Sequence, residues 1–289
     1  ITRIFALDFT FLSFLDFCTY PLRFISFSKF AAWYCRWKYR KENVIYFSHD
    51  AIPLYFLSFI SKNIFFDIHD FPTDSVFSRR VMKHAKGFSV QTKAKIPFLK
   101  EHFGINENRI VYWPNGTDIA QFAIDMPKEE ARKTLFLDKS KKIALYTGQL
   151  FSWKGVDTFI RASAFLPDVD FYIVGGSVFD RTRLTKELPD ANRPNVHFIP
   201  FQPHARIPLW LRASDILVLP NTAREDISRL WTSPMKLFEY MASGVPIVAS
   251  IIPSIREILE DRGNAFLAEA DSPQSFSRAI QYVLAHFHE

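Results

Sequence analysis

Ile143-Ala144-Leu145-Tyr146-Thr147-Gly148-Gln149-Leu150-Phe151-Ser152-Trp153-Lys154-Gly155 is the stretch whose reading decides the fold. Its first five residues form a short apolar and aromatic run that reads as a strand, and a helical pattern opens after Gly155. A strand that passes through a glycine turn into a helix is half of a parallel-sheet crossover. The turn is also a candidate anion site, because free backbone N–H groups at a helix start and the cation of Lys154 converge there. A plainer reading keeps Lys154 solvated and makes Gly155 a helix cap.

The same rhythm extends in both directions. Strands are predicted at Val44–Ser48, Ile64–Ile68, Phe88–Gln91 and Ile110–Trp113 ahead of the stretch. After it they are predicted at Phe171–Val174, Val196–Ile199, Ile216–Leu219, Ile247–Ala249 and Ala265–Leu267. Helices fill the gaps at Pro53–Ile60, Ser78–Lys86 and Lys93–His102, the last capped by Gly104, then at Val156–Phe165, Ile207–Arg212, Pro234–Ala242 and Ser275–His286. Such alternation marks an α/β chain of two Rossmann-like lobes. Between them Asp125–Lys142 carries Pro127 and a run of charges around a short helix, Glu129–Leu135, which places the division at residues 1–127 and 128–289. Ligands of open α/β sheets bind beyond the carboxyl ends of the strands, so chemistry is expected in the segments that follow strands.

One such segment is Thr232-Ser233-Pro234-Met235-Lys236-Leu237-Phe238-Glu239-Tyr240-Met241-Ala242-Ser243-Gly244-Val245-Pro246-Ile247-Val248-Ala249. Ser233 and Pro234 fit an N-cap and first helical position, which would turn the N–H groups near Met235 toward a phosphate. Glu239 lies about one and a half turns further in. A carboxylate there can accept from both hydroxyls of a ribose while a diphosphate sits at the helix end, as in dinucleotide sites.

The 289 residues, 48% hydrophobic and 23% charged, suffice for two cores and argue against a disordered chain. The formal charge is +6, and residues 1–42 supply most of it, with seven basic against three acidic side chains. Over residues 22–41 these charges interleave with Phe24, Phe27, Phe30, Trp33 and Trp37. That segment either makes peripheral contact with an anionic membrane or forms an ordinary helix with an apolar core face and a solvated basic face. No nucleic-acid-reading module accompanies it, so nucleic acid is not an expected partner. Apolar runs are too short for a membrane span, and Ile1–Tyr20 lacks the parts of a signal peptide. Cys18 and Cys35 are too few for a disulfide framework or metal-ligand spacing. The expectation is a cytoplasmic chain, or one peripheral at the inner membrane surface, with two buried thiols.

From Tyr146 to Ala249 the chain resembles family 4 glycosyltransferases, retaining enzymes of the two-lobed GT-B fold. The resemblance extends back through Val111-Tyr112-Trp113-Pro114-Asn115-Gly116-Thr117-Asp118 and Asp67-Ile68-His69-Asp70-Phe71-Pro72, and covers roughly residues 44–285. It implies that Lys154 binds the donor diphosphate, with Gly148, Gln149, Ser233, Pro234 and Met235 around it, and that Glu239 holds the ribose. It further implies that His69 approaches the donor sugar from the first lobe, so that His69 and Lys154 carry the catalysis. Two departures stand out. Gln149 occupies a position where the family usually has arginine, and Trp231 replaces the first of two glutamates spaced seven residues apart. His49-Asp50 is a second-rank candidate. Asn115-Gly116 reads as a tight turn that shapes the cleft.

Asp168-Val169-Asp170 imitates a metal-binding motif but precedes a strand, at the wrong end of the sheet. Asp67, His69, Asp70 and Asp74 could suggest a metal, although strand alternation sends Asp67 and His69 to one face and Asp70 to the other. Neither a metal nor another cofactor is expected, since cationic and dipolar groups can stabilise a leaving diphosphate. The resemblance implies a hexosyltransferase-like enzyme of EC class 2.4. It would pass a sugar from a nucleotide-diphosphate donor to a glycan or lipid-linked acceptor with retention. A non-catalytic nucleotide-sugar-binding subunit and a GT-B-fold epimerase are the rivals. Nothing before Val44 supplies the strand and glycine-rich loop with which the family opens, and the family's C-terminal crossover helix has no counterpart. The chain is therefore expected to be a fragment with an incomplete first lobe, in which residues 128–289 bind nucleotide while transfer is weak.

Overall fold

The computed structural model describes residues 13–40, 42–69 and 74–286, with side chains from Leu22 onward. Packing gathers the chain into two compact units, one running up to Val90 and including Ile96–Val111, the other made of Gln91–Lys95 and everything from Tyr112.

In the first unit, helices α1 (Ser13–Lys38), α2 (Ala51–Leu57), α3 (Val76–His84) and α4 (Lys95–Phe103) alternate with strands β1 (Tyr46–Ser48), β2 (Ile64–Ile68), β3 (Gly87–Val90) and β4 (Ile110–Tyr112). The sheet order is β1-β2-β3-β4, with the first three strands parallel. Ile64, Phe66 and Ile68 alternate into a core shared with Val81, Met82, Phe88, Val90 and Leu99. Helix α3 begins two residues before its predicted start because Ser75 caps it, its Oγ accepting from the Ser78 N–H at 3.1 Å. Gly104 closes α4 at φ +63°, as expected.

The predicted apolar core face of the front helix is not what α1 shows. Among its described side chains only Ser28 and Ala32 are fully buried, whereas Leu22, Phe27, Phe30, Trp33 and Trp37 are exposed beside Arg23, Lys29, Arg36, Lys38 and Arg40. Cys35 is half-buried, and burial raises its thiol pKa. The side chain of Cys18 lies outside the described residues. No described helix is long and apolar enough to cross a membrane.

The second unit runs α5 (Ile119–Phe122), α6 (Lys128–Thr134), β5 (Lys142–Thr147), α7 (Val156–Ala162), β6 (Val169–Val174), α8 (Val178–Glu187), β7 (Val196–Ile199) and α9 (Ile207–Ala213). It continues with β8 (Ile216–Leu219), α10 (Met235–Ser243), β9 (Ile247–Ser250), α11 (Pro253–Arg256), β10 (Phe266–Ala268) and α12 (Pro273–His286). All six strands are parallel, in the order β10-β9-β8-β5-β6-β7. Both faces are apolar. Ala144, Tyr146, Phe171, Ile173, Ile216 and Val218 bury against α7 and α12, while Leu145, Val174, Leu217 and Leu219 bury against α9 and α10. This is the doubly wound arrangement expected, with the switch in chain direction falling between β5 and β8.

The charged stretch read as a linker belongs to this unit. Asp215 is nearly buried and takes Arg132 Nη2 at 2.6 Å, Lys128 Nζ at 3.0 Å and the Ile143 N–H at 2.8 Å. Burial alone would raise the Asp215 pKa, but those donors hold it below the usual carboxylate range. Phe122 of α5 is also fully buried, and α5 packs on α9 and α10. Compact packing groups Gln91–Lys95 and everything from Tyr112 onward in this unit. Lys128, Arg132 and Lys142 of this stretch form an ion network around Asp215.

Candidate functional site

At the carboxyl end of β5 the backbone leaves the sheet through Gly148, whose φ of +122° few side chains tolerate. A β-carbon there would stand 3.0 Å from Lys236 Nζ. Tyr146 Oη donates to the Gln149 carbonyl at 2.6 Å and pins the loop to the strand beneath it. At the far end of the loop Gly155 is left-handed and caps α7, as the plainer reading of that residue has it. A β-carbon on Gly155 would lie 1.9 Å from the Pro220 carbonyl oxygen, so the close approach of this loop to the segment after β8 requires glycine.

A second wall comes from the start of α10. Ser233 is not its N-cap and Pro234 is not its first helical residue, which corrects the register expected from the sequence by one. The helix begins at Met235, after an extended Pro234 at ψ 123°. Ser233 is otherwise engaged, because its Oγ accepts from the Asn115 N–H at 3.2 Å and its carbonyl from Asn115 Nδ2 at 2.6 Å. Neither Asn115 nor Gly116 adopts the left-handed conformation expected of a tight turn; Asn115 instead fixes the approach to α10. The shift leaves the free N–H groups of the first helical turn at the cavity, without a side-chain cap.

Between these walls lies a cavity of about 420 Å³ that brings Gly148, Gln149, Lys154, Ser233, Pro234, Met235 and Glu239 together. All seven are the donor-side residues named from the sequence. Lys154 Nζ sits 3.6 Å from the centre of the Trp153 ring, and burial pushes its pKa down to about 8. Glu239 is nearly buried, with Oε1 at 3.1 Å from His204 Nε2. His204 in turn meets Gln121 Nε2 through its other ring nitrogen at 3.2 Å.

Lys236 and His204 line the same cavity and were missed. Lys236 is the second residue of α10, and nothing local in the sequence marks its side chain as turned inward. His204 carried no signal either, because its meeting with Glu239 depends on how the loop after β7 folds. Trp231 ends a π-helical segment, Ile227–Trp231, and its neighbour Thr232 begins the lining.

His69 lies in the first unit, directly after β2, with Nε2 at 2.7 Å from Asp67 Oδ2. Asp67 also accepts from Ser89 Oγ at 2.6 Å through its other oxygen. The His49 ring meets the His69 ring edge-on at 5.9 Å, and Asp74 pairs with Arg79. Asp70 lies outside the described residues. Strand β6 starts at Val169, two residues earlier than predicted, so Asp170 is inside it and faces His197 at 3.4 Å. That is the end of β6 away from Val174 and the cavity.

The sequence profile of the family Glycosyl transferases group 1 matches residues 127–286. D-inositol 3-phosphate glycosyltransferase of Mycolicibacterium gilvum is 26% identical over 221 residues, covering 74% of this chain and 48% of that protein. Its counterpart in Corynebacterium urealyticum is 23% identical over 223 residues, covering 73% and 51%. This chain thus spans about half the length of those relatives. Sucrose-phosphate synthase from Thermosynechococcus elongatus superposes with a TM-score of 0.73 at 19% identity, over 94% of this chain and 70% of that one. Anabaena HepE in complex with UDP and glucose gives 0.70 at 20% identity, over 96% and 75%. The two parallel-sheet units and their likeness to these structures are those of the GT-B fold. Since the matched profile covers more than half of its residues, this chain belongs to the Glycosyl transferases group 1 family.

Proposed function

We propose that this chain performs the donor side of a retaining glycosyl transfer, taking a sugar from a nucleoside diphosphate and passing it to a glycan or lipid-linked acceptor. The observation that carries this reading is the convergence of Lys154, the uncapped start of α10 and Glu239 in one cavity at the switch point of the second sheet. Lys154 and the N–H groups of α10 receive the diphosphate, and Glu239 accepts from the ribose hydroxyls. As the sugar leaves, charge grows on the diphosphate, and those same groups stabilise it without a metal or other cofactor. His69 donates a hydrogen bond during transfer. Retention follows from attack on the face that the diphosphate vacates. The UDP bound in the HepE structures supports UDP as the first probe.

In a titration with UDP, Glu239→Gln is expected to weaken binding roughly tenfold, since the amide keeps the shape but loses the charge. With UDP-sugar donors, Lys154→Ala is expected to lower kcat/KM about 10- to 150-fold, the worth of one charge-assisted bond. Proton NMR of the product reads the anomeric configuration. Unchanged turnover in folded Lys154→Ala sinks the assignment, and an inverted product sinks retention. UDP binding with neither transfer nor donor hydrolysis would identify the non-catalytic reading.

A further inference from the structure

Lys236 is the second residue of α10, and its side chain folds inward instead of toward water. The stem lies under the loop after β5, with Nζ 3.6 Å from the centre of the Tyr146 ring and beneath Gly148. The amine is buried and has no hydrogen-bond partner among the described residues. A buried amine without an acceptor is costly, and a structural lysine would have been given one. The cavity wall supplies none to Lys236 Nζ. It does supply a second amine, on Lys154.

We propose that Lys236 is a second cation for the donor diphosphate, whose oxygens supply the hydrogen-bond acceptors that its buried amine lacks among the described residues. This inference rests on the proposed donor site and extends it. The ammonium gains those acceptors from phosphate oxygens, and whatever fraction of the amine is neutral takes up a proton from water as the ligand enters. The four-carbon stem turns the amine from the Tyr146 ring toward the ligand. Two influences on this amine act in one direction and a third acts against them. Burial lowers the Lys236 pKa first, the nearby charge of Lys154 lowers it further, and Glu239 one turn along α10 opposes both. Tyr146 from β5 and Tyr240 from α10 are buried and stay protonated, their pKa values raised by burial. His204, ahead of α9, is directed at Glu239 instead. The loop offers one cation, Lys154, and an uncharged amide at Gln149, so a cation from α10 adds a second positive charge to the cavity.

The test is calorimetric titration of the whole chain with UDP, and separately with inorganic pyrophosphate, in buffers of different ionisation enthalpy at pH 7. Lys154, with a pKa of about 8, is then already roughly nine-tenths protonated, and the ligands' own phosphate ionisations are common to parent and variant, so the uptake that Lys236→Met loses reports Lys236. The expected result is more proton uptake per ligand in the parent chain than in Lys236→Met. Lys236→Met should also weaken both ligands about tenfold or more. Methionine keeps the stem and removes an unpartnered amine, so the variant is expected to melt no lower than the parent. Lys236→Arg, charged at every pH used, should bind with no more uptake than Lys236→Met. Parent-like affinity and uptake in Lys236→Met would overturn the inference while leaving the donor site standing. Failure of the parent to bind UDP, with Lys236-dependent binding of pyrophosphate, would overturn the nucleotide reading and leave Lys236 as an anion ligand. Failure to bind either would overturn both.

Discussion

At the scale of single residues, the cavity is governed by how far burial has moved its amines from their ordinary charge. Lys154 has a pKa of about 8, depressed by burial, and an approaching diphosphate raises it again. Below that pKa the amine is already charged and affinity is flat; above it, binding must recruit a proton and affinity falls up to tenfold per pH unit. In a Lys236→Met background, UDP affinity measured from pH 7 to pH 10 is expected to break near pH 8, and Lys154→Arg should remove the break. A flat profile would show that Lys154 does not meet the phosphates. Gly148, Lys154 and Glu239 were legible in the sequence because glycine turns, cations after strands and carboxylates inside a helix carry their reasons locally. Lys236 was not, since a lysine on an amphipathic helix ordinarily points to water, and only the depth of the loop above it turns the chain inward.

At the scale of elements, α1 is the one whose surface disagrees with its neighbours. Exposed Phe27, Phe30, Trp33 and Trp37 lie among Lys29, Arg36, Lys38 and Arg40, a composition suited to the boundary between headgroups and acyl chains. Changing Arg36, Lys38 and Arg40 together to Gln is expected to reduce co-sedimentation with phosphatidylserine vesicles at least several-fold, at roughly 1 kcal/mol per charge near the surface. Binding indifferent to the change would leave α1 without a membrane role. The strands were legible to within about two residues, because each is a short apolar run bounded by turn residues. Helix α8 was not predicted, being polar over most of its length. Its signal was the capping box, with Ser177 Oγ accepting from the Asp180 N–H and the Asp180 carboxylate accepting from the Ser177 N–H. The register of α10 slipped because Ser233 looks like a cap, and only its long-range bonds to Asn115 show otherwise.

At the scale of the whole molecule, the second unit holds every residue proposed for the donor side and is expected to bind nucleotide by itself. A chain of residues 112–289 is expected to bind UDP within about threefold of the parent affinity. It lacks Gln91–Lys95, whose Lys93 N–H donates to both carboxylate oxygens of Glu257 at 2.8 and 2.9 Å. Loss of those bonds should lower stability by roughly 1 to 3 kcal/mol, read as an earlier thermal transition. Loss of UDP binding in a folded 112–289 chain would mean that the cavity needs the other unit. The strand order of the second sheet also governs how it can assemble during synthesis. Strands β5, β6 and β7 can pair in the order in which they are made, once Ile199 has left the ribosome. The opposite edge of β5, apolar on both faces, then waits for Ile216–Leu219. At about 5 to 20 residues per second the intervening segment takes roughly one to three seconds to make. For that interval an unpaired apolar strand is open to foreign chains, and it is then that a nascent-chain chaperone would have the most to shield.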